Sequence, residues 1–587
     1  MKSFWRGLLG SFLGCCIAIF IVFLIGIGMI GSLAAVASKS EPAIPKSAIL
    51  KLDFKTPVSE QSSEQFKFNP LTMGANFSNS ISLLSVIKAI EEAAKDPAIK
   101  FIYMTPETLN MGISQAEEIR SALKKFRDSG KAIVSYSTQF NNGNYYMASV
   151  ADKVMFNSYG DAYIGGLSTN ILFFKDLLDK LGVNMQLIRH GKFKAAAEQF
   201  IKSDISAENR EQNQVMLNSI WGSWSEEIAE SRGFSSENFN KWIDNLEITD
   251  SHSLIERHLI DQACYQDEVG EYLCSLFDVK DTKDLQFISI EKYAQAKVKP
   301  NVRAKSKIAV LYASGEIVID GGDNNISGIK FAKTLEKVRK DSTVKAVVLR
   351  VNSPGGSAQA AEMINRELGL LKQVKPVIAS YGDYAASGGY WISAKSDKIF
   401  TNNTTLTGSI GVFSLVPSVG NALNKNFHIN NVSISTNKHS DALSGMRQMD
   451  EAELKYMQGT VERVYTDFTE LVSEGRNLPV EKVDEIGQGR VWAGADALTI
   501  GLADTKGGLI DAIEYAAVTV NLADYQIVEY PVLKSTYEKL MESFSQTKTS
   551  IEILNDPVIL IEKAYSSLKE ETKITQYARL PYLYNIR

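Results

Sequence analysis

The sequence has few of the side chains that supply disulfides and the usual catalytic bases. Its 587 residues include only four cysteines and five histidines. Four cysteines are too few for a disulfide framework, and Cys264 and Cys274 are too far apart to pair within one helix. If this chain is an enzyme that needs a general base, it has few histidines from which to take one.

An excess of positive charge is also absent. Lysine and arginine number 63 against 68 aspartates and glutamates, which gives a formal net charge of -5. The sequence therefore shows no basic footprint of the kind that binds nucleic acid, and we expect no nucleic-acid partner. At this length the chain should form two or more domains, each large enough for its own core.

The sequence does contain a long apolar run near its start. Residues 8–36 include no charged side chain and exceed the roughly 20 residues that a helix needs to cross a bilayer. Because Lys2 and Arg6 precede the run, the N-terminus is expected in the cytoplasm and the rest of the chain outside it. We predict a transmembrane anchor within residues 1–40. The alternative is a cleaved signal peptide, for which residues 34–38 offer small side chains.

Beyond the anchor, helical and strand-like patterns alternate. Residues 81–94 carry apolar side chains at helical spacing, and the strand-like run 99–104 follows. A second helical pattern spans residues 114–126, and a second apolar run spans 132–137. The alternation predicts an α/β fold in which crossover helices join parallel strands. Residues 55–79 are polar and irregular, and we predict a surface loop there.

The alternation recurs later in the chain at a constant offset. Shifting the sequence by 245 residues aligns Tyr145 with Tyr390, together with other framework positions over about 70 residues without a gap. Such an offset predicts two tandem copies of one fold. We place copy one at residues 46–300, copy two at 301–530 and a tail of unassigned role at 531–587.

Copy two contains three blocks rich in glycine and serine, each placed after a strand-like run. They read N-S-P-G-G-S at residues 352–357, A-A-S-G-G-Y-W at 385–391 and T-G-S-I-G at 407–411. Glycine pairs allow backbone N–H groups to point into a cleft, and a serine at a tight turn into a helix can be held exposed. Together the blocks predict a serine nucleophile beside an oxyanion hole.

Copy one has lost these features at the aligned positions. Residues 110–111 are Asn-Met where copy two has its first glycine pair. Asn142 aligns with Ser387, and Ile164 aligns with Ser409. Framework residues are retained while three site positions differ. We therefore interpret copy one as a domain that lacks the nucleophile and the oxyanion loop.

A serine nucleophile needs an activating base, which is usually a histidine or a desolvated lysine. No histidine occurs within residues 400–419, and His439 is the one candidate nearby. The other candidate is Lys194 of copy one, which Phe193 precedes and three alanines follow. Such a poorly hydrated setting lowers the pKa of a lysine and favours the neutral amine, which can accept a proton.

The anchor, the tandem copies and the three blocks together resemble the long form of the signal peptide peptidase A family, peptidase family S49 of the Clp/crotonase superfamily. The family's nucleophile lies in an Ala-Ala-Ser-Gly-Gly-Tyr motif, which matches Ser387. Its base lies in a Gly-x-(Tyr/Phe)-Lys-(Ser/Ala)-Ala motif, which matches Lys194. The resemblance further implies that Ser409 orients the lysine. It also implies that Gly356 and Gly388 donate their backbone N–H groups to the oxyanion.

Two positions depart from the family pattern. Lys192 occupies the variable position of the lysine motif and offers a second amine close to the first. Gln199 stands where the family has proline, a change that we expect to be tolerated.

The resemblance also implies a fold, an activity and a setting. The fold would be two tandem Clp/crotonase-like domains of repeated ββα units that follow one transmembrane helix. The activity would be that of a serine endopeptidase, needing no cofactor or metal, which degrades cleaved signal peptides and related membrane-associated peptides through an acyl-enzyme. The chain would form a homotetramer in the bacterial cytoplasmic (inner) membrane, in contact with the lipid bilayer and with its catalytic domains on the periplasmic side. The alternatives are a crotonase-type acyl-CoA enzyme and a non-catalytic membrane scaffold.

Overall fold

The computed structural model describes residues 14, 42–62, 64–69, 74–322, 325–533 and 577–579. Apart from residue 14, the predicted membrane anchor lies outside these ranges and stays a prediction. In the part of the chain that the structure describes, no helix is both long and apolar enough to cross a bilayer.

Copy one is built on a six-stranded sheet in which all neighbouring strands are parallel. Its strands, in the order in which they lie side by side, are β10 (Gln262–Cys264), β8 (Lys153–Ala162), β7 (Ile133–Phe140), β6 (Ile99–Met104), β1 (Ala48–Leu52) and β11 (Phe287–Ser289). The strands are rich in buried apolar residues, as expected for a parallel sheet covered on both faces.

The helices of copy one lie between or after these strands in the sequence. They are α1 (Leu83–Lys95), α2 (Ile113–Asp128), α3 (Asn142–Ala148), α4 (Lys175–Leu181), α5 (Glu198–Ile201), α6 (Ala207–Arg232), α7 (Ser236–Asp244), α8 (Ser251–Glu256), α9 (Gln266–Phe277) and α10 (Ile290–Lys297), with a short 3-10 turn at Thr282–Asp284. Several of them start at a capping side chain; the Ser82 hydroxyl, for example, accepts a hydrogen bond from the Ser85 N–H and caps α1.

Copy two repeats this plan around a second sheet. Its strands are β12 (Lys307–Ser314), β15 (Val344–Ser353), β17 (Val377–Ala386), β18 (Lys398–Thr401), β19 (Leu406–Gly408), β21 (Val491–Ala493), β22 (Thr505–Lys506) and β23 (Gln526–Tyr530). All pairs are parallel except β19 with β21. Its helices are α11 (Gly328–Lys340), α12 (Ala358–Lys372), α13 (Gly388–Trp391), α14 (Gly420–Phe427), α15 (Glu451–Arg476), α16 (Val480–Ile486), α17 (Gly494–Thr499) and α18 (Leu509–Thr519).

A third sheet joins the two copies next to the predicted site. Its order is β14 (Ile326–Ser327), β13 (Ile317–Val318), β16 (Gly355–Ser357), β24 (Tyr577–Arg579), β20 (Val412–Ser418) and β9 (Asn184–His190). Strand β9 belongs to copy one, and it pairs antiparallel with β20 of copy two along its whole length. Through this pairing, a strand of copy one forms the edge of a sheet whose other strands lie mostly in copy two.

A buried ion-pair cluster also links the copies. The Arg350 guanidinium on β15 lies 2.8 Å from the Glu60 carboxylate and 2.7 Å from the Glu118 carboxylate, both of which come from copy one. All three side chains are buried. Burial raises the pKa of Glu118 and, close by, that of Asp383, because desolvation disfavours the charged form.

The α/β class and the tandem organisation are confirmed. The structured elements follow the offset of 245 residues: β6 corresponds to β15, α2 to α12 and β7 to β17. The prediction of a loop at residues 55–79 is wrong, because the chain forms β2 (Val58–Ser59), β3 (Glu64–Asn69), β4 (Gly74–Asn79) and β5 (Ile81–Ser82) around this region. Residues 64–69 read E-Q-F-K-F-N, in which phenylalanines alternate with polar residues. This period of two indicates a strand, but the polar composition of the whole segment led to the prediction of a loop.

Candidate active site

Ser387 lies at a strained turn between a strand and a helix. It follows β17 and precedes α13 with φ 54° and ψ -115°, a conformation that residues other than glycine rarely adopt. Its backbone N–H donates to the Gly408 carbonyl at 2.8 Å, and its side chain makes no capping hydrogen bond to α13. A serine held this way has its hydroxyl free for another partner.

Lys194 reaches the same place from copy one. It follows β9, whose pairing with β20 matches His190 with Val412. The next turn is fixed from both sides, because the Phe193 N–H donates to the Gln488 carbonyl at 2.9 Å and the Arg189 guanidinium donates to the Lys194 carbonyl at 2.8 Å.

The lysine amine lies between two serines. Lys194 Nζ is 2.8 Å from Ser387 Oγ, 2.9 Å from Ser409 Oγ and 3.1 Å from the Ser409 carbonyl oxygen. All three side chains are fully buried. These hydrogen-bond partners are uncharged oxygen atoms, and burial lowers the pKa of Lys194 well below its ordinary value. This setting favours the neutral amine, which is the form that can accept the hydroxyl proton.

Two glycines make room for the lysine stem. A Cβ added to Gly489 would lie 2.5 Å from Lys194 Cβ, and one added to Gly411 would lie 3.2 Å from Lys194 Cδ. The Gly489 N–H donates to the Ile410 carbonyl at 2.7 Å. The backbone of copy two therefore closes around the lysine of copy one at a distance that other side chains would prevent.

A buried side-chain amide on α6 contacts the turn at Phe193 and Lys194, called the lysine turn below. No sequence pattern predicted this contact. The Gln212 side chain donates to the Phe193 carbonyl at 3.0 Å and accepts from the Val491 N–H at 3.2 Å. Asn209, one turn earlier, accepts from Gln212 at 3.1 Å and donates to the Glu198 carboxylate at 2.8 Å. Gln212 thus ties the lysine turn of copy one to β21 of copy two.

The two predicted oxyanion glycines flank the serine. Gly388 directly follows Ser387 and begins α13. Gly356 lies in β16, where an added Cβ would be 2.0 Å from the Ile317 carbonyl oxygen, so this strand admits only glycine there. Strand β16 packs against α13. The role of both N–H groups stays a prediction.

The two rival bases lie elsewhere. The Lys192 side chain is exposed, and its Nζ lies 5.1 Å from the centre of the Phe193 ring. His439 Nδ1 lies 2.8 Å from the Glu453 carboxylate at the start of α15. The structure therefore brings together Ser387, Lys194 and Ser409, with neither rival among the contacts of Ser387 Oγ.

One group of side chains has a metal-like arrangement among the residues that the structure describes. It consists of His439, Asp450 and Glu453. Arg447 already lies 2.7 Å from Glu453, and Asp450 and Glu453 form the capping box of α15. A helix cap and an arginine therefore account for these carboxylates.

Known proteins share the sequence pattern. The model of peptidase family S49 matches residues 125–280 and again residues 369–523. "Protease 4" of Haemophilus influenzae is 34% identical over 462 residues, which is 76% of this chain and 74% of the relative. "Serine protease SPPA, chloroplastic" of Arabidopsis thaliana is 29% identical over 541 residues, 91% of this chain and 77% of that protein.

Two further similarities are more limited. "Putative signal peptide peptidase SppA" of Enterococcus faecium is 33% identical over 234 residues, 39% of this chain and 67% of that protein. The solved structure of a ClpP1 point mutant from Listeria monocytogenes aligns with 35% of this chain and 94% of its own, with 13% identity and a TM-score of 0.25. A score this low carries no conclusion about the fold, so the Clp/crotonase assignment stays a prediction.

Proposed function

Since the chain belongs to peptidase family S49 and is a serine protease, we propose that it cleaves peptide bonds with Ser387 as nucleophile and Lys194 as general base. The observation that carries this proposal is the 2.8 Å contact between Lys194 Nζ and Ser387 Oγ. A fully buried lysine whose pKa is lowered by burial is an uncommon feature and matches the needs of a base.

The mechanism follows from the contacts. Neutral Lys194 takes the Ser387 proton while Oγ attacks the peptide carbonyl, and the backbone N–H groups of Gly356 and Gly388 stabilise the oxyanion. One such donor is typically worth about 3–4 kcal/mol. The lysine ammonium then protonates the leaving amine and becomes neutral again. In the second half the neutral lysine takes a proton from the water that attacks the acyl-enzyme, and it passes this proton to Ser387 Oγ as the acid product leaves. Ser409 keeps the amine directed at Ser387 through its 2.9 Å hydrogen bond.

A serine-reactive phosphonate tests the nucleophile and the reaction class together. We expect the probe to add to Ser387, as mapped by peptide mass spectrometry, and to block hydrolysis of a peptide substrate. The Ser387→Ala variant should neither react nor hydrolyse. Labelling of another serine with full loss of activity would contradict the assignment.

We further propose that the substrates are cleaved signal peptides and that residues 8–36 anchor the chain in the inner membrane, with the catalytic copies on the periplasmic side. The name of the Enterococcus faecium relative and the apolar run support these two proposals. After a carbonate wash the full chain should stay with the membranes, and a variant without residues 1–40 should be released. Release of the full chain would contradict the anchor.

We also propose that chains assemble into a homotetramer by repeating the contact between β9 and β20. The offset of 245 residues places the counterpart of β9 at residues 429–435 and the counterpart of β20 at 167–173. Both segments lack regular secondary structure, and residues 429–435 are all exposed. If the first segment of one chain pairs with the second segment of another, the contact is head-to-tail, and four such contacts that close would form the tetrameric ring.

The internal pairing fixes the register of this contact. Leu187 lies opposite Leu415, so the offset places Val432 of one chain opposite Asn170 of the next. Mixing an Asn170→Cys protein with a Val432→Cys protein should give a disulfide-linked dimer under mild oxidation. Replacing Val432→Cys by Ser435→Cys moves the thiol out of register and should reduce the yield. Equal yields, or a monomer in solution, would contradict the contact.

A further inference from the structure

Residues 487–490 form a tight turn of copy two, called the closing turn below, that lies against the lysine turn of copy one. The closing turn follows α16 and precedes β21. Its Gln488 carbonyl accepts the Phe193 N–H of the lysine turn at 2.9 Å, and its Arg490 carbonyl accepts the Ser409 N–H at 2.7 Å. The closing turn therefore contacts both the lysine turn and the serine that lies beside the lysine amine.

The backbone of the closing turn has a conformation that needs support from its surroundings. Gln488 has φ 53° and Gly489 has φ 79°, so two consecutive residues lie in the left-handed region. That region is unfavourable for a glutamine, and such strain persists only where neighbouring structure maintains it. Groups outside the turn must therefore hold Gln488 in place.

The hydroxyl of Tyr465, on α15, is one of these groups. It accepts the Gln488 N–H at 3.3 Å and donates to the Asp484 carboxylate. The same carboxylate oxygen accepts a hydrogen bond from the Gln488 side-chain amide. The Tyr465 side chain is buried, and burial raises the pKa of its hydroxyl, so the phenol stays protonated and able to donate.

The ring of the same tyrosine contacts the strand that leads to the lysine. The His190 ring, at the end of β9, stacks on the Tyr465 ring with 3.7 Å between the ring centres and 18° between the planes. His190 Nδ1 also contacts the Glu462 carboxylate, three residues earlier on α15. Lys194 follows His190 by four residues. Tyr465 thus contacts copy one through its ring and the closing turn of copy two through its hydroxyl.

We propose that Tyr465 is a positioning residue for the general base. Its ring and its hydroxyl hold the strand before Lys194 and the turn that closes on Lys194 in a fixed relation. The closed arrangement keeps water from the amine and directs the amine at Ser387. The proposal rests on the proposed role of Lys194, and Tyr465 acts on the amine through the closing turn.

Tyr465→Phe tests the proposal, because it keeps the ring and removes the hydroxyl. We expect kcat for a peptide substrate to fall about 10- to 100-fold, since small displacements of a catalytic group have effects of this size. The KM should stay at the wild-type value, because the substitution acts on the base. Tyr456→Phe is the matched control: it removes a hydroxyl from an exposed tyrosine of the same helix and should keep both wild-type values. A wild-type kcat in Tyr465→Phe would overturn the proposal.

The pH dependence of Ser387 acylation by a reactive ester separates positioning from a general loss of folded protein. If the closing turn loosens, water reaches Lys194, and the desolvation that lowers the pKa of the lysine becomes weaker. The acylation rate of Tyr465→Phe should therefore level off at a higher pH than that of the wild type. A lower rate with an unchanged pH profile would overturn the proposal, because loss of folded protein alone gives that result.

Asp484→Ala tests whether the tyrosine and the aspartate act as one unit. It removes the acceptor of both the Tyr465 hydroxyl and the Gln488 amide, so it should lower kcat at least as much as Tyr465→Phe. The double variant should be no less active than Asp484→Ala alone, because residues that share one network have non-additive effects. Losses that simply multiply would contradict a shared role.

The outcomes separate this inference from the proposed function. If Lys194→Ala keeps the wild-type rate of acylation, the assignment of the base fails. If Lys194→Ala abolishes the fast reaction but Tyr465→Phe leaves the rate and its pH dependence unchanged, only the inference about Tyr465 fails.

Discussion

Copy one and copy two share a framework but differ in chemistry. The hydroxyl of Tyr145 donates to the Leu259 carbonyl at 2.9 Å, and that of Tyr390 donates to the Leu502 carbonyl at the same distance. An aspartate accepts from the first residue of the third parallel strand at 2.8 Å in both copies. The two copies therefore keep the same hydrogen bonds at the positions that hold the fold together.

The position of the nucleophile shows the difference. Asn142 takes the place of Ser387, and its amide accepts from the N–H groups of Gly165 and Gly166 at 3.1 and 3.2 Å and donates to the Gly166 carbonyl at 2.8 Å. The asparagine thus closes a loop, whereas Ser387 receives a lysine amine. The comparison indicates that the fold does not depend on the reactive residues, so each copy could specialise in one half of the site.

The first prediction installs the nucleophile in the wrong copy. The double variant Ser387→Ala, Asn142→Ser should remain at least about 10³-fold less active than wild type, since removing a nucleophile costs this much or more and Lys194 is positioned at residue 387 of copy two. Peptide hydrolysis measures the effect, and Asn142→Ser alone should keep wild-type activity. Activity regained in the double variant would mean that copy one has a complete site.

The second prediction concerns the contact between the copies. Arg350→Met should lower the free energy of unfolding by about 3–5 kcal/mol, because it leaves the buried Glu60 and Glu118 carboxylates without their cation. Thermal or denaturant unfolding measures the loss.

A surface ion pair provides the control for Arg350. Lys340→Met, which breaks the exposed pair with Glu336, should change stability by less than about 1 kcal/mol. Equal effects of the two substitutions would show that the buried cluster does not join the copies.

Much of this comparison could be predicted from the sequence. The repeat and the α/β class are visible because alternating patterns and a constant offset carry them. Local motifs also pointed to Ser387 and Lys194, whose side chains the structure places 2.8 Å apart. The sequence does not show in the same way that Arg350 pairs with Glu60 and Glu118. Nor does it show that Gln212 contacts the lysine turn. These are polar residues in strands, loops and helices, where composition alone suggests solvent exposure, and their partners lie far away in the chain. The pairing of β24 is equally non-local, since no pattern in three residues indicates which strand edge they meet.

The third prediction uses α6, which differs from its counterpart in copy two. The two helices are each 26 residues long, and aligning their ends pairs Gln212 with Tyr456 of α15. Gln212 is buried, whereas Tyr456 is 76% exposed. Gln212→Leu should lower kcat about 10- to 100-fold, since small displacements of a catalytic group have effects of this size. The loss should fall on kcat more than on KM. Gln214→Leu, on the exposed side of the same helix, should have no effect. Equal activities of the Gln212→Leu and Gln214→Leu variants would show that Gln212 does not position Lys194.

The central claim is that the base of copy two is the lysine of copy one. The pH dependence of Ser387 acylation by a reactive ester probe tests it most directly. Burial lowers the pKa of Lys194, and only the neutral amine accepts a proton. The rate should therefore rise with pH through that lowered pKa and level off well before pH 10.5, the ordinary lysine value. Lys194→Ala should abolish the fast reaction at every pH, and Lys192→Ala should keep the wild-type profile. A wild-type rate in Lys194→Ala, or its loss in Lys192→Ala, would contradict the account.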